Sequence, residues 1–264
     1  MTGINGTGID HTVRVVATAR DLAVLAELAE CKILDREQYQ LVAGIRRINR
    51  ANDRLHRLHA AGLIRRHLLG TAAGGRKAIY SLSTKGAKLI GREKFWRFQH
   101  PEDTLLIGDS FTAHQSAVNW VWISAKYRRP DGVQFLRWFN FQEPLTPALP
   151  LIPDGYFEIQ TSGAPIAHFV EVDLGTESGK VWERKIDLYL KLATSGEFAR
   201  LFHRDRFRVL VTAPTERRLG NLRAAVQKQT TKLFYFIDNK TIYRDGIYAP
   251  QWLRPEGADR QSLL

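Results

Sequence analysis

Ile48, Ala51, Leu55 and Leu58 stand at offsets of three, seven and ten, the spacing of one face of an α-helix. Arg47, Arg50, Arg54 and Arg57 repeat the same offsets one residue earlier. One residue turns a helix by about 100°, so the arginine row lies beside the buried stripe and faces outward. The spacing predicts a helix from Arg47 to Ala61, closed by Gly62, which enters the left-handed region without a Cβ clash. Two strand candidates follow, Leu63–Leu69 and Ala78–Leu82. The linker between them is glycine-rich and ends in Arg76 and Lys77, as a basic hairpin tip does. Upstream, Asp21 is expected to cap a helix carrying Leu22, Val24, Leu25 and Leu28. Asp35 caps a second helix, with Glu37 in its first turn where the helix dipole favours an anion. Thr84 opens a short helix toward Ile90.

Charge follows the same division. The 264 residues carry 39 Lys+Arg and 27 Asp+Glu, a net charge of +12. Residues 1–100 hold 18 basic and 8 acidic side chains, and residues 101–264 hold 21 and 19. A positive half of this kind reads as a module for a polyanion. The run from Asn52 to Ile64, with its Arg-Leu, Leu and Ala-Gly-Leu-Ile cadence, resembles winged helix-turn-helix families. That resemblance implies a third helix in the DNA major groove and a hairpin against phosphates. Arg46, Arg47, Arg50, Arg54, Arg57, Arg76 and Lys77 are the expected contacts to double-stranded DNA. His56 and His59, three apart, are expected as a groove-facing and a packing residue, since no third metal ligand lies nearby. The single cysteine, Cys31, excludes an internal disulfide and a cysteine zinc site. No apolar run approaches the roughly 20 residues of a membrane helix. Met1–His11 lacks a basic-then-apolar leader, so the expected location is cytoplasmic, with no membrane insertion.

The pattern loosens between Phe95 and Gly108, where Pro101 and Asp103 suggest a linker. The expected domains are therefore 1–100 and 101–264. In the second, a helix is read from Ser110 to Lys126 and a strand from Val133 to Phe141. Further strands are Leu151–Ile159 and Ala167–Leu174, joined by a turn at Thr161-Ser162-Gly163. Pairing across that turn brings Asp154 and Glu171 together. Residues two apart share a strand face, so Asp173 accompanies Glu171 and Tyr156 accompanies Asp154. Carboxylates closing an otherwise apolar strand are costly unless paired or bound to a cation. This oxygen set suits a hard divalent ion, Mg2+ or Mn2+. The helix after Gly179 puts Lys185 and Tyr189 on one face. Lys185 is either a cation turned toward these carboxylates or a surface lysine beside Glu183 or Asp187. A strand Phe207–Val211, a helix Thr215–Val226, a strand Leu233–Ile237, a closing segment Ile247–Trp252 and a mobile tail Arg254–Leu264 complete the reading. Trp120, Trp122 and Trp138 are core residues or, if exposed, platforms for an unpaired base.

Pro153-Asp154 followed by Glu171-Val172-Asp173 resembles the Pro-Asp…(Asp/Glu)-x-Lys core of restriction-endonuclease-like nucleases. It departs from that core at Asp173, where many members carry lysine. The order of winged helix, Pro-Asp, Glu171 to Glu177, Lys185 and Tyr189 resembles the replication-relaxation family, and within it the MOBC-type relaxases of mobilisable plasmids. His114 and Asn119 match the family's His-x4-Asn cadence. The resemblance implies an α+β or α/β chain: a winged helix, then a restriction-endonuclease-like mixed sheet flanked by helices. It implies a metal-dependent DNA endonuclease that nicks one strand, locally single-stranded, at a transfer origin to start conjugative mobilisation. Accessory transfer proteins and a coupling ATPase are the implied partners. Asp154 and Glu171 are the implied metal ligands, Asp173 a third ligand or a residue just behind them, Lys185 the group that stabilises phosphate charge, and His114 and Tyr189 further catalytic candidates. No His-x-His motif exists in the chain, and nothing in the sequence marks Tyr156 or Tyr189 as activated, so a water activated by metal is preferred as nucleophile. The alternative is a plasmid replication or transcription regulator whose nuclease fold is inactive; a third reading is an endonuclease cutting both strands.

Overall fold

The structure is a computed structural model that describes residues 17–70, 75–103, 105–106 and 109–264. The expected hairpin tip at 71–74 and the stretch Met1–His11 lie outside the described residues. The chain divides into two compact units, 1–109 and 110–264.

In the first unit, helix α1 (Ala19–Cys31) is capped by Thr18, with Asp21 completing a reciprocal capping box. Asp21 is thus the third residue of the helix and not its cap. A short strand β1 (Ile33–Asp35), absent from the sequence reading, leads into α2 (Arg36–Ala43), where Asp35 caps and Gln38 closes the box. Helix α3 (Ile48–Ala60) buries Ala51, Leu55 and Leu58 as the stripe predicts. Ile48, at its first turn, is 50% exposed and drops out of the stripe. Strands β2 (Ile64–Gly70) and β3 (Arg76–Leu82) pair antiparallel, and β1 adds to the outer edge of β3. Ser83 caps α4 (Thr84–Leu89).

The boundary between the units falls after Asp109, where the sequence reading puts it after residue 100; Glu102 accepts from Arg65 Nε (3.2 Å) and Asp103 from Arg66 Nε (2.6 Å) of β2. Arg65 donates to the carbonyls of Phe98 (3.1 Å) and His100 (2.9 Å). The buried His67 ring stacks on Phe98 at 4.2 Å. Strand β4 (Leu105–Leu106) then lies parallel to β2. These contacts give the segment a packed role that its proline and charged residues do not advertise.

The second unit runs α5 (Ser110–Tyr127), β5 (Gln134–Phe139), β6 (Gly155–Gln160), β7 (Ile166–Val172), α6 (Gly179–Thr194), α7 (Glu197–Phe202), β8 (Phe207–Ala213), α8 (Glu216–Gln227), β9 (Phe234–Asp238) and α9 (Asn239–Asp245). Its sheet is mixed: β5-β6-β7 are antiparallel, and β7-β8-β9 are parallel. One sheet face presents Phe169, Val209, Val211, Phe234 and Phe236 to Trp182, Ile186 and Tyr189 of α6 and to Leu222 and Val226 of α8. Each large side chain buried there contributes about 2–3 kcal/mol of transfer free energy. Helix α5 packs on β6 and β7. Trp120 and Trp122 are buried, and the half-buried Trp138 stacks on Phe157 at 6.0 Å, so all three belong to packing.

The carboxy-terminal segment is not loose. Leu263 is fully buried, Trp252 pairs with Gln261, and Arg223 donates to the carbonyls of Arg254 (2.8 Å) and Gly257 (2.5 Å). Polar composition concealed these backbone contacts. Among the described residues no helix is long and apolar enough to cross a membrane.

Arg54 joins α3 to α1. Its guanidinium forks onto the buried Asp21 carboxylate, with Nε to Oδ1 at 2.6 Å and a second nitrogen on Oδ2. Burial opposes ionisation of Asp21, but hydrogen bonds from Arg54 and Thr18 outweigh it and hold the carboxyl below its usual range. A depressed carboxyl lends stability above its unfolded pKa and loses it as pH falls. Arg54→Ala is therefore expected to cost about 2 kcal/mol at neutral pH by stranding the Asp21 charge, with the deficit shrinking in acid. Urea unfolding at pH 7 and pH 3 checks this; equal midpoints for parent and variant at pH 7 would count against it.

Candidate functional site

Helix α6 and the facing ends of β6 and β7 build the site. Asp154 immediately precedes β6. Its backbone N–H donates to Val170 O (3.1 Å), and its Oδ2 accepts from the Val172 N–H at 2.7 Å. The carboxylate thereby locks onto the strand that carries Glu171. The sequence expectation that Asp154 and Glu171 become neighbours agrees with this register.

Glu171 is fully buried. Tyr189 OH donates to its Oε1 (2.6 Å), and Lys185 Nζ donates to its Oε2 (2.9 Å). One helical turn separates Lys185 from Tyr189, so one face of α6 supplies both donors. Lys185 also donates to Glu177 Oε1 at 2.7 Å. The lysine is the inward-turned cation of the two readings, not a surface partner of Glu183 or Asp187. Burial works against its charge, yet Glu171, Glu177 and Asp154 together raise its pKa and keep it protonated. Burial also pushes the Glu171 carboxyl up; Lys185 and Tyr189 oppose that rise, and the nearby Asp154 charge adds to it.

His114, on α5, faces the same carboxylate. Its Nε2 lies 3.3 Å from Asp154 Oδ2 and 3.1 Å from Val172 O. The Asp154 carboxylate raises the imidazole pKa, and a proton on Nε2 satisfies the Val172 carbonyl.

Asp173 does not join this set. It follows the end of β7, and Arg218 of α8 grips it with Nε on Oδ1 (2.8 Å) and a terminal nitrogen on Oδ2 (2.6 Å). Trp182 Nε1 and the Gly175 N–H complete its bonds at 2.7 and 2.6 Å. Both oxygens of Asp173 are thus engaged by the fold, as both oxygens of Glu171 are, and Arg218 makes Asp173 a bracket between β7 and α8. Among the described residues no three His, Cys, Asp or Glu side chains form a metal-binding group. Tyr189 likewise changes role: its hydroxyl is fully buried, and burial beside Glu171 raises its pKa well above the ordinary value. Tyr156 is also buried and donates to Glu158, away from Asp154.

Two residues escaped the sequence reading. Glu177 closes the Glu171–Glu177 motif with no role evident from its spacing, yet its Oε1 shares Lys185 and its Oε2 is buried with no hydrogen-bond partner. Arg218 carried no local signal, because its partner lies 45 residues earlier.

The basic surface of the first unit also sorts into two kinds of residue. Arg46, Arg47, Arg50, Arg57 and Arg76 are exposed. Arg54 is committed to Asp21, and Lys77 Nζ lies 2.7 Å from the buried Asp35 carboxylate. Those two side chains pair with buried acids, although Lys77 keeps 41% of its side chain exposed and Arg54 borders the cavity lined by Arg50 and Arg57. Arg20, not foreseen, joins Arg50 and Arg57 around this cavity of about 300 Å³. His56 is exposed, and His59 Nε2 lies 3.3 Å from Glu102.

Tyr189→Phe removes one of the two donors that favour the Glu171 anion. The Glu171 pKa should rise further, by about one pH unit for a hydrogen bond to a charged group. A carboxyl-carbon NMR titration of parent and variant reads this, and an unchanged midpoint would show that Tyr189 does not govern the carboxyl.

The restriction endonuclease FokI, a solved structure, aligns with 86% of this chain at 10% identity and a TM-score of 0.33. The chain spans 43% of FokI's length. No curated protein matches the chain. The replication-relaxation family model matches residues 25–204, which include His114, Asp154, Glu171, Asp173, Lys185 and Tyr189. The chain belongs to the replication-relaxation family.

Proposed function

We propose that the chain is a DNA-nicking relaxase: a winged-helix reader joined to a restriction-endonuclease-like nuclease that cleaves one strand at a plasmid transfer origin. Family membership supports a DNA-processing role. The observation that carries the nuclease reading is the acidic cluster around Lys185, in which Glu171 is buried and Asp154 and Glu177 are partly exposed. Asp154, Glu171 and Glu177 surround one ammonium, the Glu171 carboxyl is pushed up by burial, and Glu177 Oε2 has no partner. Three carboxylates gathered about one ammonium, one of them fully buried, suit a divalent cation,. Asp154 and Glu171 would hold it: Asp154 Oδ1 has no hydrogen bond among the described residues. Bound there, Mg2+ or Mn2+ supplies positive charge beside the scissile phosphodiester and acidifies the attacking water.

The protein's own groups do the rest. Tyr189 holds Glu171 in one orientation. Lys185, placed on the helix instead of at position 173, supplies the fixed cation that steadies charge developing on phosphate. His114 Nε2, between the Val172 carbonyl and Asp154 Oδ2, fixes the orientation of the Asp154 carboxylate. Burial of Tyr156 and Tyr189, with their raised pKa values, favours water over a phosphotyrosyl link. In the first unit, three helices and the β2–β3 hairpin with exposed Arg46, Arg47, Arg50, Arg57 and Arg76 support the winged-helix reading and a double-stranded DNA partner.

A second reading draws on a specific contact. Lys185 already sits on Glu171, and Asp173 is spent on Arg218, so the fold also suits a plasmid replication or transcription regulator without cleavage. Supercoiled plasmid incubated with protein and Mg2+ or Mn2+ separates the two. Relaxed circles that depend on the cognate origin support the relaxase, and intact plasmid supports the regulator. Linear product would instead indicate cleavage of both strands. In the relaxase case Asp154→Ala and Glu171→Ala should each lower nicking by about 10²-fold or more while DNA affinity is kept. Nicking by either variant at the parental rate would refute the assignment.

DNA affinity itself should depend on the free arginines. Arg50→Gln and Arg57→Gln are each expected to reduce the slope of log affinity against log salt by about 1. Lys77→Gln, whose ammonium serves Asp35, should leave that slope in place. Equilibrium binding to duplex DNA across a salt series measures both.

A further inference from the structure

The beginnings of β7, β8 and β9 meet at the end of the sheet away from Glu171, around a cavity of about 530 Å³. Ala167 on its wall and Glu171 are four residues apart along β7, which is roughly 13 Å. The cavity is lined by three arginines, Arg206, Arg208 and Arg254, and by no acidic side chain. Elsewhere in this unit Arg137 and Arg204 share Glu158 and Arg218 brackets Asp173, while Arg128 and Arg223 bond only to backbone carbonyls and line no cavity with other arginines among the described residues. The three around this cavity meet no carboxylate among the described residues. Arg208 donates to the Leu263 carbonyl and Arg254 to the Thr231 carbonyl, contacts that leave the charge in place. Arg206 is exposed and makes no hydrogen bond among the described residues.

Tyr235 holds two of them without neutralising them. The Cζ atoms of Arg208 and Arg254 lie over its ring, 5.2 and 4.2 Å from the centre, a cation–π arrangement. Three like charges around one concavity repel each other, and an anion relieves that repulsion. The planar guanidinium matches the oxygens of phosphate. A bare phosphate would leave most of the cavity empty, since sites of about 300–1,000 Å³ take small organic ligands. Pro165 and Leu233 offer apolar wall for a sugar or base.

We propose that this cavity is a nucleotide-phosphate subsite, gripping the phosphate of either a single-stranded DNA segment or a free mononucleotide. The first source rests on the DNA-processing reading of this unit; the second does not. The test uses the full chain carrying Arg50→Gln and Arg57→Gln, so that the first unit contributes little, and no divalent cation. Labelled oligo(dT) by fluorescence anisotropy and AMP by calorimetry are the two probes. Arg206→Gln with Arg254→Gln should weaken binding about tenfold, with a salt slope for oligo(dT) lower by about 1.4. Arg206→Gln alone, which loses no bond, should weaken it in the same direction, so misfolding of the double variant cannot decide the matter. Loss of oligo(dT) affinity identifies the strand, and loss confined to AMP identifies the free nucleotide; both support the subsite. No binding of either probe by the starting chain, or unchanged binding in the variants, overturns it. Cleavage plays no part in this readout, so a chain that fails to nick plasmid can still pass.

Discussion

The second unit is organised around one costly act, the complete burial of the Glu171 carboxyl. A carboxylate removed from water needs donors on both oxygens, and a single helical face provides them, Tyr189 on one and Lys185 on the other,. That demand fixes the rotation of α6 against β7. It also fixes the entry of β6, because the Asp154 side chain completes the backbone bonding at the end of the same strand. The aromatic packing beneath, where Phe169 meets Tyr189, Phe198 and Phe207, supplies the apolar surroundings that make the carboxyl so sensitive.

Arginine is the residue that divides structure from recognition in this chain. Arg54, Arg137, Arg204 and Arg218 each meet a carboxylate that the fold has taken out of water. Arg50 and Arg57 stay exposed on α3. Net charge alone treats these groups as equivalent. Their partners separate them, because a guanidinium on a buried acid is unavailable to an outside anion.

Much of the framework was legible because periodicity is local. The stripe of Ala51, Leu55 and Leu58, the caps at Asp35 and Thr215, and the pairing that joins Asp154 to the Glu171 strand follow from short-range pattern. The four-residue spacing of Lys185 and Tyr189 put both on one helix face, and both reach Glu171. What stayed hidden was long-range pairing. The spacing of Asp173 suggested a ligand, but Arg218 lies 45 residues away and takes both oxygens. Asp21 claims Arg54 across 33 residues, although the arginine row looks uniform in sequence. Strands of two or three residues such as β1 and β4 are too short to show alternation, and the polar tail gave no sign that Leu263 is buried.

The bracket on Asp173 has a further effect on the loop that follows it. Arg218 also donates to the Glu177 carbonyl at 2.6 Å, so one guanidinium pins the loop at both ends. Glu177 and the ammonium it shares are thus set in place as the chain folds, before any visitor arrives. Groups held in one arrangement in this way need no ordering later, so an ion or ligand meeting them would lose little association free energy to arranging them.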